Sequence, residues 1–268
     1  MKTTYKFALL HFICNVMAKE ECGNTYPAEG KGDNMRDMFN SIAWRYDILN
    51  TLFTLGIDKI WRRRAIALLG PGFSGKLLDV ATGTAGLAIE AYKQYRPNYI
   101  AGLDVSEEMM AIGRKKAAKY GIKNMEFFKG MSESMPFDNG YFDGVVCGFG
   151  VRNFSDLDKG LSEMARVLTV KGRVVILEFS KSRNRIFRNI FKLYFSVIMP
   201  FIGRLISKDR QAYSYLPESV EHFPAGNDFV SRMENAGFSQ VKTKTYMFGQ
   251  VSVYSAIRFS SKYSESRE

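Results

Sequence analysis

The sequence predicts an α/β protein with a parallel sheet closed at one edge by a C-terminal antiparallel hairpin. Three observations carry that prediction. Apolar, β-type runs at 76–81, 99–105, 125–130, 142–149 and 172–180 alternate with helical patterns at about 86–96, 107–120 and 156–169, the βαβ rhythm of right-handed crossovers. The first run collapses into Ala81-Thr82-Gly83-Thr84-Ala85-Gly86, a glycine-containing turn that leads straight into helical spacing. Two last runs, 241–248 and 251–259, are joined only by Gly249-Gln250, and so tight a link makes them antiparallel neighbours. A dehydrogenase would instead continue with a sixth parallel strand.

Taken in order, the chain begins with a segment, 1–32, read as a disordered leader or start-site extension. Its apolar stretch at 7–18 sits behind Lys2 and Lys6 like a short signal peptide, yet it contains His11 and Asn15 and is too short to span a bilayer; Met17 offers a second start. A single domain is expected over 33–260, with a polar tail at 261–268. Met35, Met38, Phe39, Ile42 and Tyr46 recur at helical spacing, as do Ile57, Ile60, Trp61 and Ile66, so 33–69 is read as two helices around a turn. Arg62-Arg63-Arg64 is read as the solvated face of the second helix. Between the fifth strand and the hairpin, 181–225 is read as a helical insertion. Its aromatic and aliphatic core at 186–206, broken by Pro200 and flanked by Arg183, Arg185, Arg188 and Arg204, is either a buried helix or a lid that also touches a bilayer.

Composition narrows the partners. The 268 residues, 46% hydrophobic and 14% aromatic, suffice for one α/β core with an attached helical region. Cys14, Cys22 and Cys147 have no metal-ligand spacing, so neither a metal site nor a disulfide is expected, and a reduced cytoplasmic compartment fits. The formal charge of +11 points to anionic partners. Its basic residues are dispersed and not interleaved with aromatics, which argues against nucleic acid and leaves an anionic membrane surface or a merely solvated basic surface.

The glycine turn suggests a ligand. Gly83 and Gly86 let backbone N–H groups approach a bound molecule without a Cβ in the way. A second acid, Asp104, ends the run at 99–105 about 20 residues beyond the glycines, where a doubly wound fold presents a carboxylate to ribose hydroxyls. Asp79 stands just ahead of the turn, where it would repel a pyrophosphate but suit a cationic nucleoside. S-adenosylmethionine, with its sulfonium, amine and ribose, meets that description.

Several separated motifs then make the reading specific. They are Tyr46-Asp47-Ile48-Leu49-Asn50; Gly56-Ile57-Asp58-Lys59-Ile60-Trp61; Phe149-Gly150-Val151-Arg152-Asn153-Phe154; Arg166-Val167-Leu168 followed by Lys171-Gly172-Arg173-Val174-Val175-Ile176-Leu177-Glu178-Phe179; and Tyr213-Ser214-Tyr215-Leu216-Pro217-Glu218-Ser219-Val220. In this order, from about residue 35 to residue 258, they closely resemble the ubiquinone/menaquinone biosynthesis C-methyltransferase family. The resemblance implies a Rossmann-like class I fold and an S-adenosylmethionine-dependent enzyme that methylates a ring carbon of a polyprenylated quinol, with demethylmenaquinol preferred. A ubiquinone-pathway quinol, another lipid, or a non-catalytic scaffold that binds the cofactor are the alternatives. It also implies cofactor contacts on Thr84, Asp104 and the Met131-Ser132 pair, beside Asp79, Gly83 and Gly86 of the turn. The family often has Gly-Thr-Gly where this chain has Gly83-Thr84-Ala85, and alanine fits there unless the position needs a positive φ.

The chemistry sets its own demands. A ring carbon is a weak nucleophile until the adjacent phenol loses its proton, so the enzyme must bind reduced quinone, stabilise a phenolate and align carbon, methyl and sulfur. Arg152 is the expected phenolate stabiliser and Asn153 the orienting group; Tyr215, His222 and Asp209 are weaker candidates for a base. The expected setting is cytoplasmic, peripheral to the inner face of a membrane, and a homodimer is an admissible assembly.

Overall fold

The computed structural model describes residues 56–182 and 219–259, together with Asn40, Ala43, Trp44, Asp47, Ile48, Asn50, Thr51, Thr54, Asn184, Asn189 and Leu193. The expectations for 1–32, for the rest of 33–55, for the body of the insertion and for 260–268 lie outside these residues, as do Cys14, Cys22, Asp209 and Tyr215.

The first complete helix, α1 (Asp58–Ile66), turns Trp61, Ala65 and Ile66 inward and runs into a 3-10 turn at Ala67–Leu69. Arg63 and Arg64 are exposed, as the basic run predicts, whereas Arg62 is half-buried and donates to Asp58 at 3.3 Å. Then follow β1 (Lys76–Val80), α2 (Gly86–Tyr95), β2 (Tyr99–Asp104), α3 (Glu107–Lys119), β3 (Met125–Lys129), β4 (Phe142–Gly148), α4 (Leu157–Val167) and β5 (Leu168–Phe179). The chain ends in α5 (Asn227–Asn235), β6 (Phe238–Tyr246) and β7 (Val251–Arg258). Ser106 accepts from the Met109 N–H and Asp156 from the Lys159 N–H, so α3 and α4 each start on a side-chain cap.

The seven strands lie in the order β3-β2-β1-β4-β5-β7-β6. The first five are parallel and β7 is antiparallel to both β5 and β6. This is the expected five-strand parallel sheet closed by a hairpin. Alternation along each strand divides the core between two faces. Leu78, Val145 and Ile176 pack with Leu161 and Met164 of α4 and Phe229 and Met233 of α5. Leu77, Val146 and Leu177 pack on the other face with Trp61 and Ile66 of α1 and Leu87 and Ala88 of α2.

Three local differences from the expected pattern have physical causes. β5 starts at Leu168 instead of 172, because Lys171 takes a left-handed φ of 64° and lets the chain kink without leaving the sheet. The hairpin link has four residues, since Met247, Phe248 and Gly249 all take positive φ and close a 3-10 turn before Gln250. Finally, 227–235 is a helix that the sequence reading omitted, although Phe229 and Met233 stand one helical turn apart and Gly237 follows its end.

Strand order reverses between β1 and its neighbours β2 and β4. In open α/β sheets that switch point opens a crevice at the carboxyl ends of the strands. Here those ends are Val80, Asp104 and Gly148.

Candidate active site

A cleft opens at the switch point. One wall is built from Ala81, Gly83, Leu103 and Asp104, the other from Phe149, Gly150, Asn153 and Phe154; Met131, Ser132 and Glu133 lie along its lining too. Of the expected residues, Gly83, Asp104, Met131, Ser132 and Asn153 therefore share one cavity. Asp79, Thr84, Gly86 and Arg152 stand behind its walls.

The turn after β1 is shaped by carboxylates. Asp79, 1% exposed, accepts from the Thr82 hydroxyl at 2.8 Å and the Ala88 N–H at 3.1 Å, tying the turn to the first helical residues of α2. Burial lifts its pKa from 3.8 to about 7, against the lowering effect of those donors and of Arg62. Asp104 accepts from the Gly83 N–H at 2.8 Å and from the Ser106 N–H at 2.9 Å, one donor on each oxygen. Its pKa is also raised by burial, opposed by these backbone donors. Each Asp104 oxygen keeps acceptor capacity, and the cleft side is where a diol would use it.

The turn needs left-handed backbone at Ala81, Gly83 and Ala85, with φ of 52°, 52° and 62°. Glycine takes such angles freely and alanine does not, so the family's usual glycine is replaced here at a position that does require positive φ. Gly86, the first residue of α2, lies against Arg62: a Cβ there would come within 2.2 Å of its guanidinium nitrogen.

Thr84 is engaged away from the cleft. Its hydroxyl donates to Asp47 at 2.7 Å, and Lys116 of α3 donates to both Thr84 and Asp47, at 3.0 and 2.9 Å. Asn40 likewise accepts from Ser106 at 2.6 Å. The segment ahead of α1 is thus bonded to the residues that flank the glycine turn and Asp104.

The opposite wall follows β4. Phe149 has a φ of 60°, and Gly150 is required by close approach, since a Cβ there would lie 2.6 Å from the Ala81 Cβ and 2.8 Å from the Cys147 Sγ. Cys147 is a fully buried thiol whose pKa burial pushes well up. A 3-10 turn at Val151–Asn153 then aims Arg152 inward. Its guanidinium donates to Glu178 at 2.6 Å and to the Phe149 carbonyl at 2.7 Å, while Glu178 also accepts from the Phe179 N–H at 2.7 Å. Both side chains are buried, at 7% and 0% exposed. Burial raises the Glu178 pKa and the Arg152 charge opposes it. Phe149 packs on Phe179 with centroids 4.6 Å apart. Glu133, which the sequence reading left out, accepts from the Ser155 and Asp156 N–H groups at 2.6 and 3.1 Å and from the Ser132 hydroxyl at 2.8 Å. His222 is exposed and does not line the cleft.

Residues 28–258 match the model of the ubiE/COQ5 methyltransferase family. The chain belongs to that family. Among its relatives is the demethylmenaquinone methyltransferase of Bacteroides fragilis, 41% identical over 235 residues, which cover 87% of this chain and 96% of that one. The ubiquinone/menaquinone biosynthesis C-methyltransferase UbiE of Geobacter sulfurreducens is 43% identical over 233 residues, 85% of this chain and 90% of that one. The fold is shared with a crystal structure of a SAM-dependent methyltransferase from Aquifex aeolicus, at a TM-score of 0.54 and 20% identity over 74% of this chain and 89% of that one. The enzyme is accordingly a methyltransferase with S-adenosylmethionine as its methyl donor.

The cleft fits that cofactor. Two carboxylates, Asp104 and Glu133, line it, while behind the wall Glu178 is paired with the Arg152 guanidinium. Such a field suits a sulfonium cation and opposes a pyrophosphate. Among the described residues no group of acids, histidines and cysteines could hold a metal.

Proposed function

We propose that this enzyme methylates the ring carbon of demethylmenaquinol to give menaquinol, at the inner face of a membrane that holds the polyprenyl tail. The observation that carries the reading is the contrast between the two cleft walls: carboxylate and backbone N–H groups on one side, Phe149, Phe154 and Asn153 on the other. An aromatic wall suits a planar bicyclic ring, and the names borne by the relatives support a naphthoquinol over a sterol or phospholipid headgroup.

When bound, S-adenosylmethionine supplies an electrophilic methyl group on a sulfonium. Asp104 receives the ribose hydroxyls, and Gly83 and Ser106 hold it for that task. The Asp79 carboxylate keeps the glycine turn in register and adds negative potential near the sulfonium. Thr84 and Gly86 act through the turn's shape, and Met131 and Ser132 flank the adenine. On the acceptor side Asn153 orients the ring hydroxyl, while Arg152, clamped by Glu178, holds the 3-10 turn that carries Asn153 and offsets the negative charge that builds as the ring oxygen loses its proton. Water exclusion by Phe149 and Phe154 strengthens that electrostatic contribution.

The partners are the quinol and an anionic membrane surface, approached from the cytoplasmic side; a homodimer is compatible with this arrangement. Among the described residues no helix is long and apolar enough to cross a membrane. The test is genetic complementation. In a bacterium lacking its own demethylmenaquinone methyltransferase, expression of this chain should restore menaquinone and clear the accumulated unmethylated quinone; continued accumulation beside abundant folded protein would reject the substrate.

A further inference from the structure

The turn between β6 and β7 is built unlike an ordinary hairpin end. Met247, Phe248 and Gly249 take φ of 47°, 55° and 90° in succession, a backbone that the first two side chains disfavour. The turn is nevertheless held firmly. Ser180 donates its N–H to the Gln250 carbonyl and its hydroxyl to the Gly249 carbonyl, and Ser182 donates to the Phe248 carbonyl at 2.6 Å. The result is outward presentation of two apolar side chains, Phe248 at 70% and Met247 at 48% exposed.

Position and charge indicate what meets them. Phe179, the last residue of β5, pairs with Val251, so this turn lies on the sheet edge where the cleft opens. Phe179 also packs on Phe149 of the cleft wall, with ring centroids 4.6 Å apart. Behind the tip, Arg64 of α1 lies over the Tyr246 ring at 5.4 Å. Lys242 and Lys244 alternate with Tyr246 on the same strand face and are exposed. Residues 59–66 of α1 and 242–250 at the hairpin end contain no Asp or Glu. Glu221 is paired with Lys181, which lies between the anchoring serines in sequence. A half-exposed Ile60 stands one helical turn before Arg64.

We propose that the β6–β7 turn and the acid-free basic face behind it dock on a bilayer containing anionic lipid, with Phe248 and Met247 entering the headgroup and acyl boundary. Aromatic insertion combined with a basic surface is the two-signal arrangement that gives reversible interfacial binding. The inference deepens the proposed function and rests on its reading of a membrane-dissolved substrate: it sets the cleft mouth against the layer in which a polyprenyl quinol resides.

The test uses the full chain and extruded vesicles, of phosphatidylcholine mixed with phosphatidylglycerol or of phosphatidylcholine alone. The parent should co-sediment with the mixed vesicles. The Met247→Ser/Phe248→Ser variant should lose at least about tenfold in partitioning, the scale of withdrawing one large apolar side chain. Lys242→Glu/Lys244→Glu should abolish the preference for anionic lipid, and Phe248→Trp, which keeps the turn, should shift its emission to the blue on adding vesicles. Methyl transfer to a tail-less, water-soluble quinol should be unchanged in the serine variant. Parent-like partitioning of that variant, an unshifted tryptophan, or a changed oligomeric state with vesicle binding intact would overturn the proposal. Vesicle binding that falls as expected in a protein that methylates no quinol would leave the surface standing and reject the substrate.

Discussion

The two walls of the cleft are built by different means. The cofactor wall is a matter of backbone: Asp79 and Asp104 accept from N–H groups of Ala88, Gly83 and Ser106, all between residues 79 and 106. The acceptor wall depends on side chains that meet across the sheet, above all Arg152 with Glu178, 26 residues apart. One wall is dictated by local residue types. The other depends on a long-range pair, and damage to each should have a distinct signature.

The sharpest way to separate the walls is to remove Arg152. Arg152→Ala leaves the Glu178 carboxylate buried without its counter-charge, and should cost about 3–5 kcal/mol of stability in urea unfolding. The double variant Arg152→Ala/Glu178→Gln should recover part of that stability but not turnover, which should remain about 10²–10³-fold down with cofactor affinity preserved. Full recovery of activity in the double variant would reduce the pair to scaffolding.

On the cofactor wall, Asp104→Ala should weaken binding of S-adenosylhomocysteine by about 1.5–3 kcal/mol in calorimetry, the range for a lost hydrogen bond to a charged group. Acceptor binding should change little. Unaltered cofactor affinity would remove Asp104 from the ribose.

Asp79 supplies a subtler contrast. Because its folded pKa is raised from 3.8 to about 7, the unfolded chain holds fewer protons between those values. Stability from this group therefore falls as pH rises from about 4 to about 7 and is level above. A nearby sulfonium favours the ionised carboxylate, so affinity for S-adenosylmethionine should rise through about pH 7, tenfold for each pKa unit by which the bound cation lowers Asp79. S-adenosylhomocysteine, which lacks the sulfonium charge, should show a flatter profile, and Asp79→Asn should erase the difference; parallel profiles in the parent would contradict the assignment.

The smallest effect concerns Ala85. Relieving its φ of 62° with glycine removes about 1 kcal/mol of strain but adds unfolded-chain entropy, for a net gain below about 1 kcal/mol in thermal unfolding. A loss on Ala85→Gly would mean that the turn has no strain to relieve.

The same contrast explains which features are legible in the sequence. Strand and helix order was legible because periodicity and the Gly83 turn are local, and Asp104 was legible because its distance from the glycines is a feature of the βαβ unit. The link at 247–250 was misjudged because two non-glycine residues accept positive φ where serine donors hold them, which no propensity registers. Glu178 reads in sequence as one more residue of an apolar strand, and Glu133 as a polar loop residue. Only the fold shows that each is tied to the turn and loop after β4. The partnership of Asp47 with Thr84 and Lys116 was hidden likewise, since ion pairs between distant segments leave no spacing to detect.

The reaction is tested most directly by a single turnover of the intact chain with S-adenosylmethionine and demethylmenaquinone, followed by mass spectrometry of the quinone. One added ring methyl is expected when the quinone is chemically reduced and none when it is kept oxidised. Equal methylation of both forms, or none of either beside tight S-adenosylhomocysteine binding, would contradict it.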